Sequence, residues 1–253
     1  MKISIITATY NSASVINDCL DSVKSQKYDD IEHIVIDGAS TDETLLLLQS
    51  RREQLSAFIS EPDKGIYDAM NKGIRLATGE IIGFLNSDDF YATNEVLLKV
   101  ANIFKNDPSL DSCYADLIYT KRLDTSKIVR FLKSSEYKQG LFSKAWCPGH
   151  ATFFVRRSVY QRYGNFDLNY RLASDFDLMM RFLDIHKIKS RYIPETWVKM
   201  RLGGVTNKNI KNIFIQNQEI LSSFRKNNLP VNIIRFFFYK IINRLKQFFK
   251  EKF

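Results

Sequence analysis

The chain has few of the residues that build disulfides, zinc sites or membrane spans. Its three cysteines, Cys19, Cys113 and Cys147, are widely separated and form no CxxC pair. An odd, scattered set of this kind argues against a disulfide framework or a zinc site and favours reduced thiols in the cytoplasm. No apolar run approaches 18 residues, so we expect no transmembrane helix. The run after Lys2 ends at Asn11, which is too short for a secretory segment and fits a first strand.

Little net positive charge lies outside the C-terminal end. The 253 residues carry a net charge of +9, and residues 230–253 hold six basic residues and one acid, Glu251, which gives 6 − 1 = +5. The other 229 residues therefore carry only +4. The hydrophobic fraction of 45% is that of an ordinary globular chain with a sizeable core. The length fits one large domain, or one domain with an appendage.

Strands and helices alternate through the first 110 residues. The patterns predict buried strands at 2–8, 32–37, 57–60 and 81–86, and helices at 12–26, 41–48 and 66–77. Such alternation implies a parallel sheet with right-handed crossovers. Beyond residue 110, apolar runs at 111–119, 150–155 and 190–200 predict a smaller mixed sheet, with helices near 157–163 and 174–186. The predicted fold is α/β, a Rossmann-like and mostly parallel sheet flanked by helices.

Polar residues gather where three predicted strands end. Strand 81–86 runs into Ser87, Asp88 and Asp89, while Tyr10 follows the first strand and Asp37 the second. Parallel sheets bind their ligands at this edge, and paired carboxylates can hold a divalent cation that neutralises a diphosphate. An aromatic ring, a carboxylate and a metal turn suit the parts of a nucleotide. The alternatives are a solvated turn, a partly buried tyrosine and a helix-capping aspartate.

Several segments in order resemble the inverting family-2 glycosyltransferases with the GT-A fold. They are TATYN at 7–11, VIDGASTDET at 35–44, DKGIYDAMNKGI at 63–74, ATGEIIGFLNSDDFY at 77–91 and ASDFDLMMR at 173–181. GHATFFVRRSVYQRYG at 149–164 and RLGGVTN at 201–207 also resemble the bacterial surface-polysaccharide branch. The resemblance runs from about residue 1 to 205.

The resemblance implies roles for individual residues. Tyr10 would lie by the nucleobase, Asp37 would recognise the base or ribose, and Asp88, with Asp89 beside it, would bind Mn²⁺ or Mg²⁺. Asp175 matches the general base. From their place near the same edge, the further donor-site candidates are Ala8, Asn11, Lys64, Asp68, Asn71 and Ser87, and the acceptor-site candidates are His150 and Arg201. Asn86 and Gly38 stand where many relatives have an acid. Trp197 stands alone in ETWVKM where processive synthases have QxxRW, which indicates single addition.

Some of these positions have a second interpretation. An inverting transfer needs a base for the acceptor hydroxyl proton, yet Asp175 could simply be a first-turn acid favoured by the helix dipole. Asp175 and Asp177 cannot face the same way on a helix, so at most one points into a cleft. His150 could be structural. Lys64, Asp68 and Asn71 could cap a helix, and Arg201 precedes glycines that also make plain turns.

The C-terminal segment predicts a basic amphipathic helix. One face gathers Ile234, Phe237, Phe238, Ile241, Ile242, Leu245, Phe248 and Phe249, and Phe236 breaks the pattern. Such helices lie in the membrane interface and favour anionic lipid. The alternatives are packing on the catalytic domain or on a second subunit in a homodimer.

Together these patterns predict a GT-A domain at 1–207, with a donor half at 1–110 and an acceptor half at 111–207, and a helical extension at 208–253. The expected enzyme moves one sugar from a nucleotide-diphosphate sugar to a lipid-linked glycan at the inner face of the cell membrane, as in O-antigen or capsule assembly. A non-catalytic nucleotide-sugar-binding regulator is an alternative. A nucleic-acid-binding protein is disfavoured because no recognition motif accompanies the basic tail.

Overall fold

The computed structural model describes residues 1–203 and 209–248. Its strands are β1 Ile3–Thr9, β2 Ile31–Asp37, β3 Ala57–Ser60, β4 Ile81–Phe84, β5 Asp89–Tyr91, β6 Ser112–Thr120, β7 Ile128–Leu132, β8 Phe154–Arg156 and β9 Ser190–Arg201. Its α-helices are α1 Ile16–Lys24, α2 Thr44–Ser50, α3 Ile66–Leu76, α4 Val96–Asn106, α5 Arg157–Tyr163, α6 Ser174–Met180, α7 Ile210–Lys226 and α8 Ile233–Lys246.

Within these residues all nine strands join one sheet in the order β3-β2-β1-β4-β8-β6-β9-β5, with β7 paired to β6. The four strands β3, β2, β1 and β4 are parallel, as the alternation predicts. The later strands are mixed, since β8 runs antiparallel to both β4 and β6 while β9 runs parallel to β6. The α/β prediction is confirmed. The acceptor-side strands do not form a second sheet, because β8 joins them to β4.

Burial explains why the first half is regular. All seven residues of β1 are buried, as expected for a central strand covered by helices on both faces. Helix α3 lies close against it at Gly73, where an added Cβ would stand 2.3 Å from the Ile6 side chain. One core cluster contains Ile6, Phe84 and Phe176, and the other contains Ile5, Phe104 and Trp197. The sheet thus has an apolar layer on each face.

Several predicted boundaries differ for identifiable reasons. The helix expected from residue 12 begins at Ile16, because the Ser12 N–H instead donates to the Thr44 hydroxyl oxygen at 2.7 Å. The helix expected from Thr41 begins at Thr44, whose N–H donates to Asp42 at 2.9 Å. The strand expected at 150–155 is a 3₁₀ turn, His150–Thr152, followed by β8. The helix at 174–186 ends its α-form at Met180 and continues as a π-turn.

The C-terminal helices pack on the domain through few residues. Helix α7 buries Ile220, Ser223 and Phe224, and α8 buries Phe236, whose ring lies 6.0 Å from that of Phe224. Phe236, which interrupts the apolar face in the sequence pattern, is therefore the buried residue of α8, and Asn243 adds hydrogen bonds to the carbonyls of Lys144 and Ala145. Among the described helices none is both long and apolar enough to cross a bilayer. Phe249 lies outside the described residues.

Candidate active site

The loops after β1 and β2 are hydrogen-bonded to each other and to the acidic turn at 86–89. The N–H of Asn11 donates to the Ser40 hydroxyl at 2.8 Å, and the N–H of Thr41 donates to Asn11 Oδ1 at 2.8 Å. The hydroxyls of Ser12 and Ser87 lie 2.8 Å apart in a buried contact. The predicted convergence of the three loops is therefore present in the structure.

Tyr10 and Asp37 occupy this edge in different ways. The Tyr10 side chain is exposed at 60%, so its ring is free to meet a flat ligand, whereas Ala8 beside it is buried. Asp37 is fully buried, and its carboxylate accepts hydrogen bonds from the Ser40 hydroxyl at 2.5 Å and the Ser60 hydroxyl at 2.6 Å. Asp37 thus braces the loop, and contact with a base or ribose stays a prediction.

A neighbouring carboxylate fills the space left by Gly38. A Cβ on Gly38 would stand 2.5 Å from Asp63 Oδ2, so the glycine admits this side chain to the donor edge. Asp63 also accepts the Gly65 N–H at 2.7 Å, which fixes its loop. Asp63 is not among the site residues predicted from the sequence. The signal was available, because an acid is absent at residue 38 and one stands in the loop before α3.

The three candidates around the start of α3 separate into two kinds. Lys64 is exposed, and its N–H donates to Asp68 at 3.1 Å, which is a helix-start contact. Asn71 is buried and holds the Phe166 backbone from both sides, donating to its carbonyl at 2.9 Å and accepting its N–H at 3.0 Å. Asn71 is occupied by this structural contact, and donor contact by Lys64 or Asp68 stays a prediction.

The two carboxylates of the acidic turn have opposite environments. Asp88 is 26% exposed, with Oδ2 lying 3.9 Å from Arg122. Asp89 is 1% exposed, and neither of its oxygens has a hydrogen-bond partner of normal geometry among the described residues. Burial, and then the charge of Asp88, raise the pKa of Asp89 well above its ordinary value, while Arg201 and Asn86 offset part of that rise.

Arg201 lies beneath this turn. Its side chain is 4% exposed, Nη1 donates to the Asp88 carbonyl at 2.9 Å, and the guanidinium is paired with Asp18 and lies over the Phe90 ring. The predicted acceptor role requires an accessible side chain, which this geometry does not offer. The structure instead gives Arg201 the task of holding the acidic turn. The loop that follows it, 204–208, lies outside the described residues.

The two aspartates at the start of α6 point in different directions, as the helix spacing requires. Asp175 is 27% exposed, and its Oδ1 accepts the Tyr67 hydroxyl at 2.9 Å and the Phe176 N–H at 2.8 Å. Burial, and then the charge of Asp175, raise the pKa of Tyr67 well above its ordinary value, so its hydroxyl stays a donor. The phenol Tyr67 is a site residue that sequence analysis missed.

Asp177 faces the interior. It is 1% exposed and accepts from Arg181 at 2.7 Å, from the Ser223 hydroxyl at 2.6 Å and from Asn227 at 3.0 Å. In α7, one turn before Ser223, Glu219 accepts hydrogen bonds from the backbone N–H groups of Arg171 and Leu172, at 2.9 and 2.7 Å. The segment that carries Asp175 is therefore held by α7 at two places.

His150 lies between Asp175 and the acidic turn. Its Nδ1 is 3.7 Å from Asp175 Oδ2, and its Nε2 is 3.0 Å from Asn86 Nδ2. The imidazole is 21% exposed, so it borders the cleft without projecting far into it. This contact joins the first residue of the acidic turn to the candidate base.

The chain matches a known family over more than half of its length. Residues 4–164 match the sequence profile described as "Glycosyl transferase family 2". The chain is 32% identical over 218 residues to the PGL/p-HBAD biosynthesis glycosyltransferase of Mycobacterium bovis, covering 84% of this chain and 82% of that protein. The chain therefore belongs to glycosyltransferase family 2, and it is a glycosyltransferase.

Solved structures share the fold at low sequence identity. S. aureus TarS in complex with UDP-GlcNAc aligns with a TM-score of 0.66 and 18% identity, over 97% of this chain and 71% of that one. The mannosyltransferase PcManGT from Pyrobaculum calidifontis, in complex with GDP-Man and Mn²⁺, aligns with a TM-score of 0.67 and 18% identity over the same shares. These likenesses confirm the GT-A prediction.

Proposed function

We propose that the chain is an inverting glycosyltransferase that moves one sugar from a nucleotide-diphosphate sugar to a lipid-linked glycan, as in surface-polysaccharide assembly. The observation that supports this most is the pairing of two partly exposed carboxylates, Asp88 in the acidic turn and Asp175 on α6, with His150 between their elements. One suits a metal-bound diphosphate and the other suits the acceptor hydroxyl.

The donor half of the proposal rests on the loop edge. The exposed ring of Tyr10 offers a stacking surface for a base, and Asp63 adds a carboxylate next to Gly38 in the loop after β2. TarS has been solved with UDP-GlcNAc and PcManGT with GDP-Man, which supports a nucleotide-sugar donor without selecting the base. The sugar and the nucleobase are therefore the first things to measure.

A divalent cation fits the acidic turn. Within residues 1–203 and 209–248, both oxygens of Asp89 and the Asn86 amide oxygen are buried without a hydrogen-bond partner, and Asp88 is next in sequence to Asp89. Among the described residues no group of three or more His, Cys, Asp or Glu side chains is placed to hold a metal. Mg²⁺ commonly takes one or two carboxylates and completes its shell with substrate phosphates and water. Asp88 and Asp89 would hold the ion, which would offset charge on the departing diphosphate.

Asp175 acts as the general base in this proposal. As the acceptor oxygen attacks the anomeric carbon from the side opposite the diphosphate, its proton passes to the Asp175 carboxylate. Oδ1 already accepts two hydrogen bonds, from Tyr67 and from the Phe176 N–H, so Oδ2 is the oxygen with capacity for the proton. The partner of Oδ2 is His150 at 3.7 Å, which leaves that oxygen open to the cleft.

The proposed location is the inner face of the cell membrane, with α8 in contact with anionic lipid. One stripe of α8 and the residues after it is exposed to solvent, at 84% for Ile234, 61% for Phe238, 63% for Ile241, 55% for Leu245 and 51% for Phe248. Arg235, Arg244 and Lys246 are exposed on the same helix. Apolar side chains flanked by cations suit an anionic bilayer surface, where burial and charge attraction add.

A donor screen tests the catalytic proposal. Thermal unfolding and donor hydrolysis are measured across UDP-, GDP- and dTDP-sugars, with Mn²⁺ or with EDTA. A donor that binds the folded state raises its stability by mass action, so we expect one nucleotide class to shift the unfolding temperature, and only with the metal. A shift with a donor but no hydrolysis or transfer would favour the regulator.

A matched pair of double variants tests the membrane proposal. Ile241→Ser with Leu245→Ser removes two exposed residues of the α8 stripe, and Leu46→Ser with Leu168→Ser removes two of similar exposure, 66% and 48%, elsewhere. We expect only the α8 pair to lose sedimentation with phosphatidylglycerol vesicles. If the α8 pair instead lowers the mass of an oligomer and leaves vesicle binding unchanged, the stripe is a dimer interface.

A further inference from the structure

The contact between His150 and its two neighbours has a defined polarity. The Asn86 amide nitrogen lies 3.0 Å from His150 Nε2, and it is this nitrogen of the side-chain amide that faces the ring. An amide N–H₂ can only donate, so Nε2 of the imidazole must accept. The ring proton of neutral His150 then resides on Nδ1, which is the nitrogen that faces Asp175.

We infer that His150 is a positioning residue for the base, with Asn86 selecting its Nδ1–H tautomer so that this N–H points at Asp175 Oδ2. The inference rests on the proposed function, in which Asp175 takes the acceptor proton. The separation of 3.7 Å is longer than a hydrogen bond. Catalytic hydrogen bonds are often long without substrate and tighten in the reacting complex.

The arrangement divides the carboxylate of Asp175 into two oxygens with different tasks. Oδ1 is fixed by Tyr67 at 2.9 Å and by the Phe176 N–H at 2.8 Å. Oδ2 faces one N–H from His150, which orients it without filling its remaining lone pair. The base therefore keeps one accessible proton acceptor in a set direction, which is the geometry that an oriented transfer needs.

The arrangement also joins the base to the donor side of the cleft. Asn86 begins the turn that contains Asp88, and its amide reaches His150. Replacing Asn86 by Asp substitutes an acceptor for the donor, which draws the ring proton to Nε2 and turns a bare Nδ1 toward Asp175. Asn86→Asp thus reverses the tautomer while changing one atom of the side chain.

Hydrolysis of the nucleotide sugar, with water as the acceptor, is the kinetic test. We expect His150→Ala to lower kcat by about tenfold to a hundredfold, with the donor KM unchanged, because the base loses its orientation. In His150→Asn the Asn amide nitrogen takes the place of Nδ1, so we expect kcat near that of the wild type. In His150→Gln the amide nitrogen takes the place of Nε2, so kcat should match His150→Ala.

The same assay separates this inference from competing roles. If His150 binds the glycan acceptor, hydrolysis by His150→Ala proceeds at the wild-type rate, and that result overturns the inference. Asp175→Asn is the control for the proposed function. If Asp175→Asn hydrolyses the donor normally, the base itself is misassigned, whatever the His150 variants do. If Asp175→Asn is inactive and His150→Ala is normal, only the inference about His150 fails.

A second measurement does not depend on activity. The chain has three histidines, so ¹⁵N spectra of histidine-labelled protein can be assigned by comparing the full-length chain with His150→Asn. Above the titration range of imidazole we expect His150 in the Nδ1–H form, and in the Nε2–H form in Asn86→Asp. An Nε2–H ring in the wild-type protein would overturn the inference.

Discussion

The acidic turn and the start of α6 each carry two aspartates, one partly exposed and one buried, yet the buried members differ. Asp177 accepts hydrogen bonds from three side chains, Arg181, Ser223 and Asn227. Asp89 is equally buried, and its oxygens have no such partners among the described residues. A buried carboxylate with full partners stabilises a fold, whereas one without partners is costly unless it is neutral or meets a cation.

The exposed members differ as well. Asp88 is held through its backbone, because Arg201 binds its carbonyl, while its partly exposed carboxylate lies 3.9 Å from Arg122. Asp175 is held through its carboxylate, by Tyr67 and His150. A metal ligand needs a carboxylate that is accessible to the ion, whereas a general base needs a carboxylate held in one orientation toward the acceptor hydroxyl. The comparison thus assigns ion binding to one pair and proton transfer with its support to the other.

The largest expected effect is that of Asp88→Ala, which should abolish transfer and metal-dependent donor binding because the accessible ligand is gone. The fold should be unaffected, since the ion pair that the described residues give this carboxylate is a long one, 3.9 Å to Arg122. Donor titration with Mn²⁺ and thermal unfolding measure the two properties, and exposed Asp29→Ala is the matched control. Activity retained in EDTA would refute the metal role.

The substitution Asp177→Ala should lower the free energy of unfolding. It leaves the Arg181 guanidinium unpaired in a site where its side chain is 15% exposed, and it frees Ser223 and Asn227. Breaking a buried pair from one side costs about 3 to 5 kcal/mol. Urea unfolding measures the loss, and the wild-type midpoint in the variant would mean that these bonds add nothing.

The substitution Asp175→Asn should lower the rate of sugar transfer and leave the stability unchanged. Loss of a general base lowers the rate at least about a hundredfold, because the amide fills the same space but cannot take a proton. Donor affinity and the urea midpoint should match those of the wild type. Turnover close to normal would remove Asp175 from the chemistry, and Asp177 is no substitute because its oxygens are already bonded.

Asp89→Asn should have the smallest effect, and its sign depends on the metal. A raised pKa means that folded Asp89 holds its proton where the unfolded chain has lost it, so without metal the wild type loses stability as pH rises above about 4. In EDTA the free energy of unfolding of the variant should not fall with pH in this way. At pH 8 the variant should be at least as stable as the wild type. Unfolding in urea at pH 4 and pH 8 measures it, and an unchanged slope in the variant would contradict it.

The parallel half of the fold was predictable because buried parallel strands appear as near-continuous apolar runs. The meeting of the three loops followed from that topology. The sequence pattern could not show which residues of a helix are buried against the rest of the protein. The α8 pattern defines an apolar face, yet Phe236 on the other side packs into the core. Likewise, helix spacing separates Asp175 from Asp177, but the partners in α7 decide which one is buried.

Site residues that depend on distant neighbours were the hardest to recognise. Tyr67 meets Asp175 across 108 positions of sequence, and Arg201 meets the Asp88 carbonyl across 113. No local pattern records such contacts. Gly38 is the exception, because a missing side chain at residue 38 hints that another group, here Asp63, fills the space.

Helix α7 and the residue after it form hydrogen bonds with the segment before and within α6, so we expect truncation at residue 208 to destabilise that segment. Glu219 holds the backbone at Arg171 and Leu172, and Ser223 and Asn227 hold Asp177. A chimera with the C-terminal helices of a relative would need all four of these hydrogen bonds, which come from Glu219, Ser223 and Asn227. The C-terminal helices and the segment that carries Asp175 therefore form one structural unit. Exchange of these helices between family members should give a folded protein only if the segment at 171–177 is exchanged with them.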